Sequence, residues 1–143
     1  MTGTLSGKFK NTMDNTGRII FPADFRKEMG SKIILSKGFF DHCLCAYTEE
    51  EWKKVCENLK KFPEAKIRKV RMWVFGSICT LVPDKQGRVF IPKELCEHAG
   101  LKHEVVFMGA DSRVELWDAE TFDEAYNSID FDSISDTLSE LEF

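Results

Sequence analysis

"DNTGRIIFPADFR", residues 14–26, returns as "DKQGRVFIPKELC", residues 84–96, with Asp, Gly-Arg and Pro seventy positions on. In each copy Asp-x-x-Gly-Arg reads as a turn. Asp14 can accept a backbone N–H within it, and Gly17 can supply a positive φ. "RIIF" is apolar and largely β-branched, so a strand follows. Pro22 suits the first position of a helix, which "ADFRKEM" continues until Gly30 stops it. Before the turn, "KFKNTMD" alternates polar and apolar residues as a half-buried strand does.

The same shift of seventy sets Gly30 on Gly100, Lys32 on Lys102, Leu44 on Val114, Tyr47 on Trp117 and Trp52 on Phe122. The chain is therefore two copies of one unit. "KIILS" and "CLCAY" read as a second strand pair with Gly38 in its loop, and "TEEEWKKVCENLKK" as a Thr-capped helix with acids in its first turn. "ICTLV", "RVFI", "PKELCEHAG", "EVVFM", "VELW" and a helix from 118 repeat the plan. Two copies fit a pseudo-two-fold better than a solenoid. The expected organisation is a first unit over 7–62, a connecting helix over 63–76, a second unit over 77–127 and an acidic tail over 128–143. In the connecting helix Ile67, Val70, Trp73 and Val74 share one face, while Lys66, Arg68 and Lys69 turn to water. The tail is expected to form a short helix and then fray.

With 143 residues, 43% hydrophobic and 12 of them Phe, the chain can build a real core. No apolar run approaches the ~18–20 residues of a membrane helix. "MTGTLSGKFK" has no apolar signal segment, which points to the cytoplasm. The net charge of −4 hides an asymmetry: residues 1–110 hold 19 Lys and Arg against 13 acids, residues 111–143 one against 11. A basic body with an acidic end is compatible with a polyanionic partner.

Five cysteines, Cys43, Cys45, Cys56, Cys79 and Cys96, form no disulfide framework. Cys43 and Cys45 fall on one strand face beside His42, but no second Cys or His pair stands at ligand spacing, so free thiols are expected and no metal or other cofactor. A duplicated Asp in a Gly-containing turn invites comparison with the aspartic-protease dyad. There the Gly comes two residues after the Asp; here it comes three after, followed at once by Arg. A cation beside such a dyad would keep both acids ionised. No nucleophile elbow or P-loop is present. The expectation is a protein that is not an enzyme and has no small-molecule substrate.

The ordered set G-K-F, T-M-D-x-x-G-R-I-I-F-P-A-x-F-R, G-F-x-x-x-C-L, E-x-x-W, D-x-Q-G-R-V-F-I-P-x-x-L, H-A-G-L, E-V-V-F-M-G and R-V-E-L-W-D, spanning residues 7–118, resembles the MraZ family. The resemblance implies an α+β fold of two tandem AbrB-like, swapped-hairpin β-barrel-like units with flanking helices. It implies self-assembly into a homo-oligomeric ring in the bacterial cytoplasm, associated with the nucleoid. It also implies transcriptional control of the cell-division and cell-wall gene cluster by binding double-stranded DNA at short direct repeats. In AbrB-like proteins the Arg of this motif and two basic residues of the next helix contact DNA. The matching positions are Arg18, Arg26 and Lys27 in the first unit. In the second they are Arg88, with Lys85 in its turn, while Cys96 and Glu97 stand at the helix positions, so the second copy is expected mainly to complete the barrel. Asp24 weakens the basic surface of the first helix. Each Arg has two readings open: paired with its own turn Asp, or free to reach a base edge or phosphate. The alternative function is a ring-forming structural protein without specific DNA binding.

Overall fold

The computed structural model describes residues 4–143 and carries the sequence repeat into space. The first copy runs β1 (Lys8–Thr12), β2 (Arg18–Ile20), α1 (Ala23–Met29), β3 (Ile33–Lys37), β4 (Leu44–Tyr47), α2 (Glu49–Leu59) and α3 (Glu64–Phe75). The second runs β5 (Cys79–Leu81), β6 (Arg88–Phe90), α4 (Lys93–Ala99), β7 (Glu104–Gly109), β8 (Val114–Asp118), α5 (Ala119–Asn127) and α6 (Phe131–Glu140).

The fold is α+β, and the strands are exchanged between the copies. Six form one sheet in the order β1-β7-β8-β4-β3-β5, and β2 pairs with β6 in a separate ribbon. Swapping each strand for its counterpart reverses the six-strand order and leaves the sheet unchanged, which is the expected pseudo-two-fold. β1 pairs with β7 of the other copy, and β5 with β3. The register locates the axis. Ile19 pairs with Val89, and Cys45 with Glu115, each residue lying opposite its own counterpart seventy positions away.

That offset is not kept everywhere. β3 sets Ile34 against Tyr47, whereas β7 sets Val106 against Trp117. Ile34 is thus the counterpart of Val106, seventy-two residues on. Two extra residues sit between Gly100 and β7, and the β7–β8 connection is shorter by two, which restores the offset at β8. The alignment of Lys32 with Lys102 is corrected accordingly: the second copy spends its insertion there.

Alternation divides the sheet into two faces. Ile33, Leu35, Leu44, Ala46, Val105, Phe107, Val114 and Leu116 face the larger core, with Ile19, Phe21, Val89 and Ile91 of the ribbon and Phe25 and Leu95 of α1 and α4. Phe21 and Phe107 meet edge to face at 5.1 Å, one from each copy. Each such fully buried side chain contributes about 1.5–3 kcal/mol by leaving water. Cys43, Cys45, Tyr47, Val106 and Trp117 face the smaller core, with Trp52, Val74 and Phe122 of α2, α3 and α5.

The helix boundaries follow local chemistry. Thr48 caps α2 by accepting the Glu51 N–H, and Pro63 caps α3. Pro22 stands one place before α1 rather than at its first position. On α3 only Ile67 and Val74 of the expected apolar face are buried; Val70 and Trp73 are each 41% exposed. The helix touches the body along a narrow line, and Trp73 instead lies under the Lys37 ammonium and against His98. The acidic tail forms the ten-residue α6, none of whose residues is buried. His42 rests on His98, centroids 5.3 Å apart, rather than on the Cys43–Cys45 pair, and all five cysteines are free thiols.

Candidate nucleic-acid interface

Each turn is closed by its own aspartate. The Asp14 carboxylate accepts the N–H groups of Thr16 and Arg18, both at 2.9 Å, and the Thr16 hydroxyl at 2.7 Å. Asp84 accepts the N–H groups of Gln86 and Arg88, both at 2.9 Å. Gly17 and Gly87 adopt φ of 92° and 86°, which closes the turn back onto Asp14 and Asp84. These bonds favour the ionised carboxylates. The Thr16 hydroxyl, then the Arg18 N–H, hold Asp14 below the usual range; the Arg88 N–H does the same for Asp84. Two carboxylates each lowered within its own turn are the reverse of a dyad sharing one proton.

The turns lead straight into the ribbon. Phe21 N–H donates to the Gly87 carbonyl and Ile91 N–H to that of Gly17, both at 2.9 Å, extending β2·β6 at its two ends. Period-2 alternation sends Ile19, Phe21, Val89 and Ile91 inward and Arg18, Ile20, Arg88 and Phe90 outward. Arg18 lies opposite Phe90, and Ile20 opposite Arg88. The outer face is thus a short, symmetric strip of two arginines and two apolar side chains. Ile20 and Phe90 are 47% and 53% exposed. Sequence reasoning passed over these two, although the alternation in "RIIF" and "RVFI" carries the signal.

The arginines divide between the two readings. Arg88 Nε donates to the Asp84 carboxylate at 2.9 Å, and its Nη2 to Gln86 Oε1 at 3.1 Å. Among the described residues the Arg18 guanidinium makes no hydrogen bond or ion pair, because Thr16 takes the place of Gln86 and bonds Asp14 itself. Lys27 and Lys85 are exposed and likewise without a charge partner.

Arg26 is partly buried. Its Nε donates to the Phe21 carbonyl at 2.7 Å, the place where Cys96 Sγ meets Ile91 O at 3.5 Å in the other copy. Its guanidinium also packs on Gly87. Strand exchange therefore brings α1, with Arg26 and Lys27, to the turn that carries Lys85 and Arg88. By the same symmetry α4 lies beside the turn that carries Arg18. A concave notch there is lined by Asp14, Thr16, Gly17, Phe90, Lys93 and Lys102. Lys93, 90% exposed, is a further basic group at this turn, and among the described residues its one ion-pair partner is Glu97 at 3.8 Å. Chain order could not reveal it, since Lys93 lies seventy-five residues after Arg18.

Among the described residues no group of three or more His, Cys, Asp or Glu could hold a metal ion, and no helix is long and apolar enough to cross a membrane.

The family model described as "MraZ protein, putative antitoxin-like" matches the chain twice, over residues 4–72 and 75–141. Curated relatives named "Transcriptional regulator MraZ" align over nearly the whole length. One from Thermoanaerobacter sp. (strain X514) is 41% identical over 143 residues, covering 96% of this chain and 98% of its own. One from Caldanaerobacter subterraneus subsp. tengcongensis is 41% identical over 139 residues, covering 94% and 96%. One from Clostridium beijerinckii is 39% identical over 139 residues, with the same coverage.

Proposed function

The chain belongs to the MraZ family, and from that premise we propose that it is a non-enzymatic transcriptional regulator that binds DNA sequence-specifically through the outer face of the β2–β6 ribbon. The observation that carries this reading is the unpaired Arg18 guanidinium on a turn fixed by Asp14 and Gly17. A two-stranded ribbon fits the major groove, where an arginine can donate two hydrogen bonds to guanine. The turn holds the Arg18 backbone before binding, so little ordering entropy is spent on contact. Exposed Lys93 beside one turn, and exposed Lys27 and Lys85 beside the other, support the reading as candidate phosphate contacts flanking the ribbon. Arg26 supports this surface from beneath through its bond to Phe21.

The target is a promoter with short direct repeats, heading the cell-division and cell-wall gene cluster, and the protein acts there as a homo-oligomer on the bacterial nucleoid. The relatives' shared name supports regulation of transcription. The basic balance of residues 1–110 supports a polyanionic partner despite the overall −4.

The test is a binding assay on the region upstream of its own operon, with unrelated duplex as competitor at about 0.15 M salt. Binding that survives excess competitor supports the reading. Equal binding to both duplexes rejects it in favour of a ring-forming interaction protein.

A further inference from the structure

The smaller core holds two thiols side by side. Cys43 and Cys45, two residues apart on one sheet face, are 2% and 4% exposed. Their counterparts seventy positions on are Arg113 and Glu115, and the pseudo-two-fold sets Cys45 opposite Glu115. The two copies have thus diverged here into a thiol pair on one side of the axis and an ion pair on the other. Arg113 Nη2 donates to the Glu115 carboxylate at 2.7 Å, and Trp117 Nε1 donates to its other oxygen at 3.0 Å.

Burial ordinarily silences a thiol by raising its pKa, as it does at Cys79 and Cys96. Cys45 departs from that. The Cys43 thiol donates to its sulfur, the Arg113 charge stands nearby and the Tyr47 hydroxyl donates as well. Together these outweigh burial and Glu115 and hold Cys45 below the usual thiol range, while Cys43, as the donor, is pushed up. A cavity of about 70 Å³ opens onto both thiols and Arg113. Phe40, 96% exposed, forms part of its wall, so the cavity reaches the surface. It has room for small polar molecules such as water or hydrogen peroxide.

We propose that Cys43 and Cys45 are a peroxide-oxidised thiol pair, with Cys45 the attacking sulfur and Cys43 the resolving one. The Cys45 thiolate attacks the O–O bond of hydrogen peroxide: an S–O bond forms, the O–O bond breaks and hydroxide leaves. The hydroxide takes up the proton that Cys45 had released, giving water. The Cys43 sulfur then attacks the sulfenic acid on Cys45. An S–S bond forms, the S–O bond breaks, and the Cys43 proton leaves with the hydroxide as a second water. The pair loses two electrons, and one peroxide becomes two waters. Residues two apart on a strand span about 6.6 Å, near the upper limit of about 6.8 Å between the Cα atoms of a disulfide. Cys43 can close that gap because it stands in the bend before β4, where its carbonyl accepts the Gly38 N–H at 2.7 Å. Closure draws in the loop 38–43 and leaves the β4 ladder in place. The inference stands apart from DNA recognition, and its test needs no DNA.

The native full chain is treated with a slight excess of hydrogen peroxide, quenched with catalase and unfolded. Its remaining thiols are blocked with N-ethylmaleimide before peptide mass spectrometry. Cys56, Cys79 and Cys96 are each more exposed than the pair, so exposure alone would oxidise them first. The expected order is the reverse: the peptide with Cys43 and Cys45 is the first to escape blocking, two hydrogens lighter, and dithiothreitol restores both sites. In Cys43→Ser, Cys45 should stop at the sulfenic acid and be captured by dimedone. In Cys45→Ser, Cys43 should keep its thiol at the same dose. The order in the wild type decides even if a serine variant fails to fold. Earlier oxidation of Cys56, Cys79 or Cys96, or a pair that keeps its thiols or oxidises without linking, overturns the proposal. So does a folded Cys43→Ser without a dimedone adduct, or a folded Cys45→Ser in which Cys43 oxidises as readily as in the wild type.

Discussion

Arg26 of the first copy lies on Gly87 of the second: a Cβ at position 87 would come 2.5 Å from the Arg26 Cζ. The helix of one repeat thus braces the turn of the other. Residues that the family resemblance groups as one expected DNA-contacting set, Arg18 with Arg26 and Lys27, are divided between two turns in space. The set around Arg18 instead includes Lys93, and that around Arg88 includes Lys85, Arg26 and Lys27.

The two turn glycines should respond unequally to alanine. Both have φ near +90°, which strains any L side chain. At Gly17 the new Cβ would also stand 2.9 Å from the Ile91 carbonyl, part of the ribbon backbone. At Gly87 it meets a side-chain end that can swing away. Gly17→Ala should cost about 2–3 kcal/mol and Gly87→Ala about 1–2 kcal/mol, read from urea midpoints at constant m. A larger loss at Gly87 would mean that Arg26 is immovable.

Neither repeat should fold as a monomer. A fragment ending at residue 76 lacks β5 and β7, the partners of β3 and β1, and β6, the partner of β2. It should be unfolded, or pair with a second fragment that supplies those strands. Ultracentrifugation and amide exchange decide, and a folded monomeric fragment would show that strand exchange is dispensable.

Stability should fall on mild acidification through His98. Burial, then His42 and Lys37, lower its pKa below the usual 6.5, with the Asp41 and Gly38 carbonyls opposing. Lys37 is itself paired with Glu94 at 2.9 Å. Between the folded value and 6.5 the unfolded chain binds the extra proton, so stability rises with pH across that window. As pH falls through it, stability is lost. Denaturation midpoints between pH 7.5 and 5.5 should show this slope, and His98→Gln should flatten it.

The repeats bound should have to be in phase. One ribbon offers few contacts, so single-site binding should be weak and salt-sensitive. An assembly adds avidity of ~10²–10⁴ only if sites face one side of the duplex, spaced near ~10 bp or a multiple. Inserting about half a helical turn between repeats should reduce affinity to that of one site, and a full turn should retain much of it. Tight binding to the half-turn duplex would mean that each unit reads alone.

Much of this was legible in the sequence. The period of seventy, the Asp-x-x-Gly-Arg turns and the strand–helix order all appear in space, because local chemistry writes them: Asp14 bonds within four residues of itself. The pseudo-two-fold followed from the duplication. What stayed hidden is non-local. The insertion before β7 is masked because the following hairpin is shorter by the same two residues. The bracing of Gly87 by Arg26, and the closeness of Lys93 to the first turn, come from strand exchange and leave no trace in spacing. The fate of the arginines turned on one neighbour, Thr16 against Gln86, whose side chains bond the aspartate or the arginine respectively.

The ratio of affinities for target and unrelated duplex, compared among wild type, Arg18→Ala and Arg88→Ala, tests the ribbon most directly. Arg18 is free to engage a base, whereas Arg88 must first leave Asp84 and Gln86, an exposed pairing that solvent and salt weaken. A lost bidentate arginine–base contact is worth about 1–3 kcal/mol, so Arg18→Ala should lower the ratio about 5- to 150-fold. Arg88→Ala should lower it less, and neither should shift the melting temperature appreciably. An unchanged ratio in Arg18→Ala, in a variant that still folds and binds, would contradict recognition through the ribbon.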